Sequence, residues 1–301
     1  MILIEPYWQV LEQKPGIEGM YKQIEYCGRI SHKSENSITK DSYVEFVKKM
    51  QKLQHFATFE HGTVYLLIEE DSNPHATTWW KDIVDFYKHN PYSKVKYHDW
   101  AYYITTNYRV ICENHREADM QYWEEPGAYH EKRHTVIFTC DIGVSREYNR
   151  HRVDSILEES TRYCNYAKHG KESLNIVVPI WLRENYRDKL SEYLNKDFKT
   201  YCYLVSDDRE DEFKDIDYWM FANKCAEFCY SKLINECKWT PQQARSILPL
   251  DTKTTLAHTA FDSDWDHFFL LRSIGSTGAP HPSAKELAEP LMKFFTENNY
   301  I

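Results

Sequence analysis

The sequence predicts a mixed helix–strand protein, α/β or α+β. Short β-rich apolar runs bounded by turn residues alternate with amphipathic stretches of helical period. Neither kind is confined to one half of the chain, so helices and strands share one architecture. With 301 residues, 42% of them hydrophobic and 28% charged, the chain can bury a sizeable core and is not of disordered composition. The length allows two domains or one elaborated domain. We expect a single domain, residues 1–301, with an inserted segment at about 69–133 that is too poor in apolar residues to be a domain of its own.

Residues 41–54 predict an amphipathic helix, because Val44, Val47, Met50 and Leu53 recur every three residues. His55–His61 reads as a loop, with His55 as a structural hydrogen-bonder, and Thr63–Ile68 as a strand. Residues 69–133 carry Asn-Pro and Gly turn signals, many aromatics and many charges around one strand- or helix-like island, Ala101–Glu113. Their apolar content is thin for a separate core, and Trp79-Trp80 reads as packing or interface. Thr135–Ile142 is a second strand. Val144–Arg152 follows as a helix with Ser145 as N-cap, and Leu174–Val178 as a third strand stopped by Pro179. Residues 211–237 are helix-rich. Thr240-Pro241-Gln242-Gln243 has the form of a helix start, with Thr at N-cap, Pro at N1 and Gln closing a capping box. Asp262–Arg272 reads as helical and Gly275–Gly278 as a turn. Ser283–Glu286 is a second capping box opening a terminal helix with Leu287, Leu291, Phe294 and Phe295 on one face.

Charge and cysteine usage exclude several function classes. A net charge of −9 argues against general nucleic-acid binding, which needs a basic face, but leaves room for a local basic pocket. No window of about 18 apolar residues predicts a membrane span. The opening MILIEPYWQVLEQ lacks the marks of a signal peptide, so a cytoplasmic protein with reduced thiols is expected. The eight cysteines form no CxxC pair, and no metal site is expected. Cys225 and Cys229 share a helix face as small hydrophobes.

The densest chemistry lies in Arg150–Tyr163. Three arginines, a histidine, two serines and two glutamates fall within this segment. Guanidinium forks match phosphate oxygens, and serine hydroxyls complete such a site as neutral donors. A solvated helix face with Glu/Arg pairs is the alternative. Two features favour a site. Apolar strands flank the segment, and an Arg cluster in an acidic chain calls for its own anion.

Arg150-His151-Arg152, seven residues and then Ser160, with Glu158, Arg162 and Tyr163, resembles the signature of the flavin-dependent thymidylate synthases, the ThyX family. His55 with Phe59-Glu60-His61, Gly143–Asn149, Ala244–Leu250 and Phe269–Arg272 resemble that family's other conserved elements. The inserted segment resembles the longer members found in phages and gut bacteria. The resemblance implies a central, mainly antiparallel sheet flanked by helices. It implies conversion of dUMP to dTMP, with methylenetetrahydrofolate as carbon donor and FAD, reduced by NADPH, as hydride carrier. It also implies a homotetramer with active sites at subunit junctions, in a bacterial or phage-infected cytoplasm.

By motif position, Arg150, Ser160, Arg162 and Arg245 would hold the dUMP phosphate and sugar, and Glu147 would contact the nucleotide. Arg272 would be the catalytic group, facing the uracil carbonyl as N3 loses its proton. Arg150, His151 and Arg152 would line the flavin, Glu158 would bridge the two sites, and His61, Thr63, Asp262 and His267 fall at flavin-contacting positions. Phe261, His267 and Leu157 stand where compact members often carry Asn. Asp154 inside the motif reads as a solvent-facing charge or the partner of a neighbouring Arg. Cys164 reads as a packing residue, because the family needs no enzyme nucleophile. The alternative to the enzyme is a non-catalytic nucleotide-binding homologue, which would hold no flavin.

Overall fold

The computed structural model describes residues 1–70, 79–167, 174–207 and 210–301. Two short strands, β1 (Ile2–Ile4) and β2 (Tyr7–Leu11), precede helices α1 (Gly16–Ile30) and α2 (Ser42–Lys52). A 3-10 helix over Phe56–His61 leads into β3 (Thr63–Glu69), then α3 (Trp79–His89), β4 (Lys94–His98), β5 (Ala101–Asn107) and α4 (Tyr108–Glu113). Next come β6 (Arg133–Asp141), α5 (Ile142–Tyr148), β7 (Ser155–Glu158) and β8 (Asn175–Val177). Helices α6 (Ile180–Tyr186), α7 (Leu190–Asn195), α8 (Phe198–Ser206), α9 (Asp215–Asn235) and α10 (Pro241–Ala244) follow. The chain closes with β9 (Lys253–Phe261), α11 (Asp262–Phe269), a π-helical stretch over Leu270–Ile274 and α12 (Pro282–Glu297).

The main sheet is antiparallel in the order β2-β6-β9-β7, as the family resemblance implies. A second antiparallel sheet runs β3-β5-β4, and β1 pairs in parallel with β8. Both faces of the main sheet are covered. Val136, Phe138 and Cys140 point to one face and meet Tyr148, Trp265, Phe268, Leu287, Leu291 and Phe295 from α5, α11 and α12. Ile137 and Ala257 point to the other and meet Cys27 and Ile30 of α1. Alternation by two therefore buries every residue of Thr135–Cys140, which is why apolar residues stand at adjacent positions there.

The inserted segment shares a core with the N-terminal helices. Val84, Tyr87, Ile104 and Ile111 pack with Met20, Ile24, Val47 and Phe59. Trp79 stacks on Tyr122 and Trp80 on Tyr102. The Ala101–Glu113 island is both strand and helix, changing at Asn107, whose side chain accepts from the Val110 N–H as an N-cap. The Asn73-Pro74 turn signal lies outside the described residues.

Several local expectations are corrected. The loop at 55–61 contains 3-10 turns. Helix α5 starts two residues earlier than expected and is capped by Asp141, which accepts from Val144 N–H at 2.7 Å; Ser145 lies inside it. Helix α12 takes Pro282 at N1, so His281 is its N-cap, and Glu286 is drawn away to Arg183. The capping box at Thr240 is present as expected. Gly275 ends the π-helical stretch at φ +78, a conformation that favours glycine, and a Cβ there would meet the Gly278 carbonyl at 2.7 Å. No helix among the described residues is long and apolar enough to cross a membrane.

Phe138 is fully buried at the centre of the main cluster. Phe138→Ala should lower unfolding free energy by about 3–5 kcal/mol, read from urea denaturation; a loss under about 1 kcal/mol would show that this cluster does not carry the fold.

Candidate active site

The motif segment is not a helix face. It leaves α5, turns through Arg150–Asp154, runs as edge strand β7 and turns again after Glu158. Edge pairing with β9 spaces its polar groups onto both sides of the sheet end. Helix α5 contributes to the walls of two cavities there.

The first cavity, of about 1020 Å³, is walled by Glu147, Arg150, His151, Arg152, Asp154, Asp264, His267, Arg272 and the Thr277–His281 loop. Arg272 projects from the π-helical stretch, whose extra residue per turn re-aims side chains. Its Nη1 donates to Glu147 Oε2 at 2.9 Å, its Nη2 to the Glu147 carbonyl at 2.7 Å and its Nε to His151 Nε2 at 3.1 Å. An arginine N–H can only donate, so His151 Nε2 is the accepting nitrogen of a neutral imidazole. Burial, then the neighbouring His258, pulls His151 down to about 4, which agrees with that state. The guanidinium groups of Arg150 and Arg152 have no hydrogen bond or ion pair among the described residues and are exposed.

The second cavity, of about 740 Å³, is walled by Ser145, Arg146, Glu158, Glu159, Ser160, Gln242 and Arg245. Glu158 accepts from Ser145 Oγ at 2.7 Å, Asn149 Nδ2 at 2.9 Å and Thr254 Oγ1 at 3.0 Å. Three neutral donors hold that carboxylate without cancelling its charge. Behind it, buried Glu159 takes Lys253 at 2.8 Å and fixes the loop that carries Ser160. Arg162 is exposed and donates from Nε to Gln242 Oε1 at 3.1 Å, at the start of the helix leading to Arg245. Arg146 and Arg245 are exposed cations without partners among the described residues.

A model of the family described as thymidylate synthase complementing protein matches residues 129–297, more than half of the chain. The chain belongs to that family. No curated protein matches the sequence. Among solved structures, the UMP/dUMP methylase PolB from Streptomyces cacaoi, bound with 5-Br dUMP, is similar at 15% identity and TM-score 0.44, over 99% of this chain and 93% of that one. Thymidylate synthase X from Helicobacter pylori, with FAD and dUMP, is similar at 19% identity and TM-score 0.34, over 54% of this chain and 66% of that one.

In this family member the expected site residues are only partly brought together. Glu147, Arg150, His151, Arg152, His267 and Arg272 share the first cavity, and Glu158, Ser160 and Arg245 the second. His61, Thr63 and Asp262 line neither. His61 is fully buried and shares a 2.8 Å hydrogen bond between Nδ1 and Thr259 Oγ1; Thr63 lies beside buried Arg133; Asp262 faces His134. A flavin contact by the His61 or Thr63 side chain is therefore not carried over: both point into the interior. The His55 side chain is exposed in a third cavity, of about 1010 Å³, and has no hydrogen bond among the described residues, so it is not the structural bonder expected.

Asp154 is neither solvent-facing nor paired with an arginine; its Oδ2 lies 2.6 Å from Nε2 of His258, with both side chains buried. Cys164 is buried, which pushes its thiol up to about 11, far from a reactive thiolate. Sequence reasoning missed Arg146, Asp264, His281 and Gln242. Arg146, one helical turn before Arg150, could have been found from local arginine density; the others have no local signal.

Two buried histidines give the fold a pH dependence. Burial lowers His61 to about 3 and His151 to about 4, against about 6.5 for an unfolded histidine. The unfolded state then binds more protons between these values, so this stability is complete above about pH 6.5 and is lost as pH falls toward 4 and 3. The urea midpoint should drop from pH 7 to pH 4, with a smaller drop in His61→Asn. Equal drops in the two proteins would show that His61 is not buried neutral.

Proposed function

We propose that the chain is a flavin-dependent thymidylate synthase, converting dUMP to dTMP with methylenetetrahydrofolate as carbon donor and FAD, reduced by NADPH, as hydride carrier. The observation that carries this reading, beside family membership, is the held Arg272 on the cavity wall next to two guanidinium groups that have no partner among the described residues. Uracil must become nucleophilic at C5. A guanidinium against O2 and N3 stabilises the enolate-like anion without giving up a proton. Arg272 suits this task because Glu147 and neutral His151 fix its plane before substrate arrives, so little reorganisation is left for the reaction.

Arg150, Ser160, Arg162 and Arg245 would hold the nucleotide phosphate and sugar as charge-assisted and neutral donors. Glu147 would contact the nucleotide, and Glu158 would accept from a ribose or flavin group. The residues of the first cavity fit FAD. Arg150 and Arg152, exposed and without a partner among the described residues, are suited to a diphosphate, and His151 and His267 supply planar edges. FAD, when bound, supplies the hydride; the chain orients the ligands and excludes water. The two cavities share no lining residue in one chain, which supports active sites completed at the junctions of a homotetramer.

Purified protein given dUMP, methylenetetrahydrofolate, NADPH and FAD should form dTMP. Arg272→Ala should retain FAD and lose about 100-fold or more in turnover, the scale of one oxyanion donor. An unchanged rate would remove Arg272 from the uracil, and absence of dTMP with the unaltered protein would leave a nucleotide-binding homologue.

A further inference from the structure

The turn between α5 and β7 carries Arg150 and Arg152 and is held by three long backbone hydrogen bonds. Arg150 N–H donates to the Glu147 carbonyl at 3.3 Å, His151 N–H to the Tyr148 carbonyl at 3.2 Å and Asp154 N–H to the His151 carbonyl at 3.2 Å. Val153, at its tip, is 56% exposed. A turn of this kind opens locally at low cost unless side chains pin it.

Two side chains do so. His151 goes inward to Arg272 on one side of the tip. Asp154 goes inward on the other, its Oδ2 2.6 Å from His258 Nε2, with side-chain exposures of 1% and 0%. His258 sits on β9, inside the main sheet, with its ring 4.6 Å from Trp265 and edge-on to Phe268. The two anchors bracket Arg152 and Val153. One ties the turn to the π-helical stretch, the other to a central strand.

The pair is a poor device for stability. Asp154 Oδ1 and His258 Nδ1 are buried without a partner among the described residues. Desolvating such groups offsets most of what their attraction returns, and two apolar side chains would pack there at less cost. What an apolar pair would not supply is direction, since a hydrogen bond holds the carboxylate at one angle and one distance.

We propose that Asp154 and His258 form a buried clamp that positions the Arg150–Arg152 turn for FAD. The clamp rests on the flavin reading of the first cavity. Asp154 and His258 are positioning residues; they need not touch the ligand.

The test uses full-length Asp154→Asn, Asp154→Ala and the double variant Asp154→Ala/His258→Phe. FAD affinity is read by equilibrium titration of flavin absorbance, and the turn is read by tryptic cleavage after Arg150 and Arg152. Asp154→Asn keeps an oxygen that accepts from His258 Nε2–H, and should bind FAD within about threefold of the unaltered protein. Asp154→Ala should bind about tenfold or more weakly and be cut faster at both arginines. The double variant leaves no unpaired polar group and should fold even where Asp154→Ala does not. It should still bind weakly and be cut fast, because only the His151 anchor to Arg272 is left to hold the turn. FAD affinity unchanged in the double variant would overturn the clamp, as would Asp154→Asn falling as far as the alanine variant. If the unaltered protein binds no FAD, the flavin reading falls and the clamp's role with it.

Discussion

The pairing of β6 with β9 organises the molecule. Nine-residue strands, Arg133–Asp141 and Lys253–Phe261, run antiparallel in full register across more than a hundred intervening residues. At the Asp141 end the chain turns into α5 and delivers Glu147, Arg150 and His151. At the Phe261 end it turns into α11 and delivers His267 and Arg272. β7 adds to the free edge of β9 and brings Glu158 to the same region. Slipping this register by one residue would turn the side chains of one strand to the opposite face of the sheet and part Arg272 from Glu147 and His151.

The interior of this sheet is unusually polar next to the site. Thr135 and Thr259 share a 2.7 Å hydrogen bond across the pair, and His61 joins Thr259. Arg133 is buried without an ion pair among the described residues, donating to the Glu60 carbonyl and to Ser155 Oγ, and burial lowers it to about 10. Groups buried this way tolerate few alternative arrangements, because each lost hydrogen bond leaves a desolvated atom. That intolerance limits the positions open to the motif segment above them.

How far the sequence could be read depended on range. Strands with continuous apolar runs, such as β3 and β6, and the helix with a clear three-residue period, α2, are legible because their burial is written locally. β9 is not: Lys253-Thr-Thr-Leu-Ala-His-Thr-Ala-Phe261 has threonines and a histidine on buried faces, so no simple alternation survives. β7 is disguised by the charges around it. The motif residues were legible through their family pattern, but their partition between two cavities was not, since it depends on the distant elements that complete each wall, residues 264–281 for the first and 242–250 for the second. Asp154 is the clearest case. Beside arginines it reads as a surface charge, and only the fold brings His258, 104 residues away, to its carboxylate.

The account depends on a flavin and a nucleotide meeting at this one region. The most direct measurement is the visible absorption spectrum of the purified protein with FAD, recorded before and after dUMP is added. A bound-flavin spectrum that shifts on adding dUMP is the predicted result. Flavin that stays free in solution, or a bound-flavin spectrum indifferent to dUMP, would contradict it.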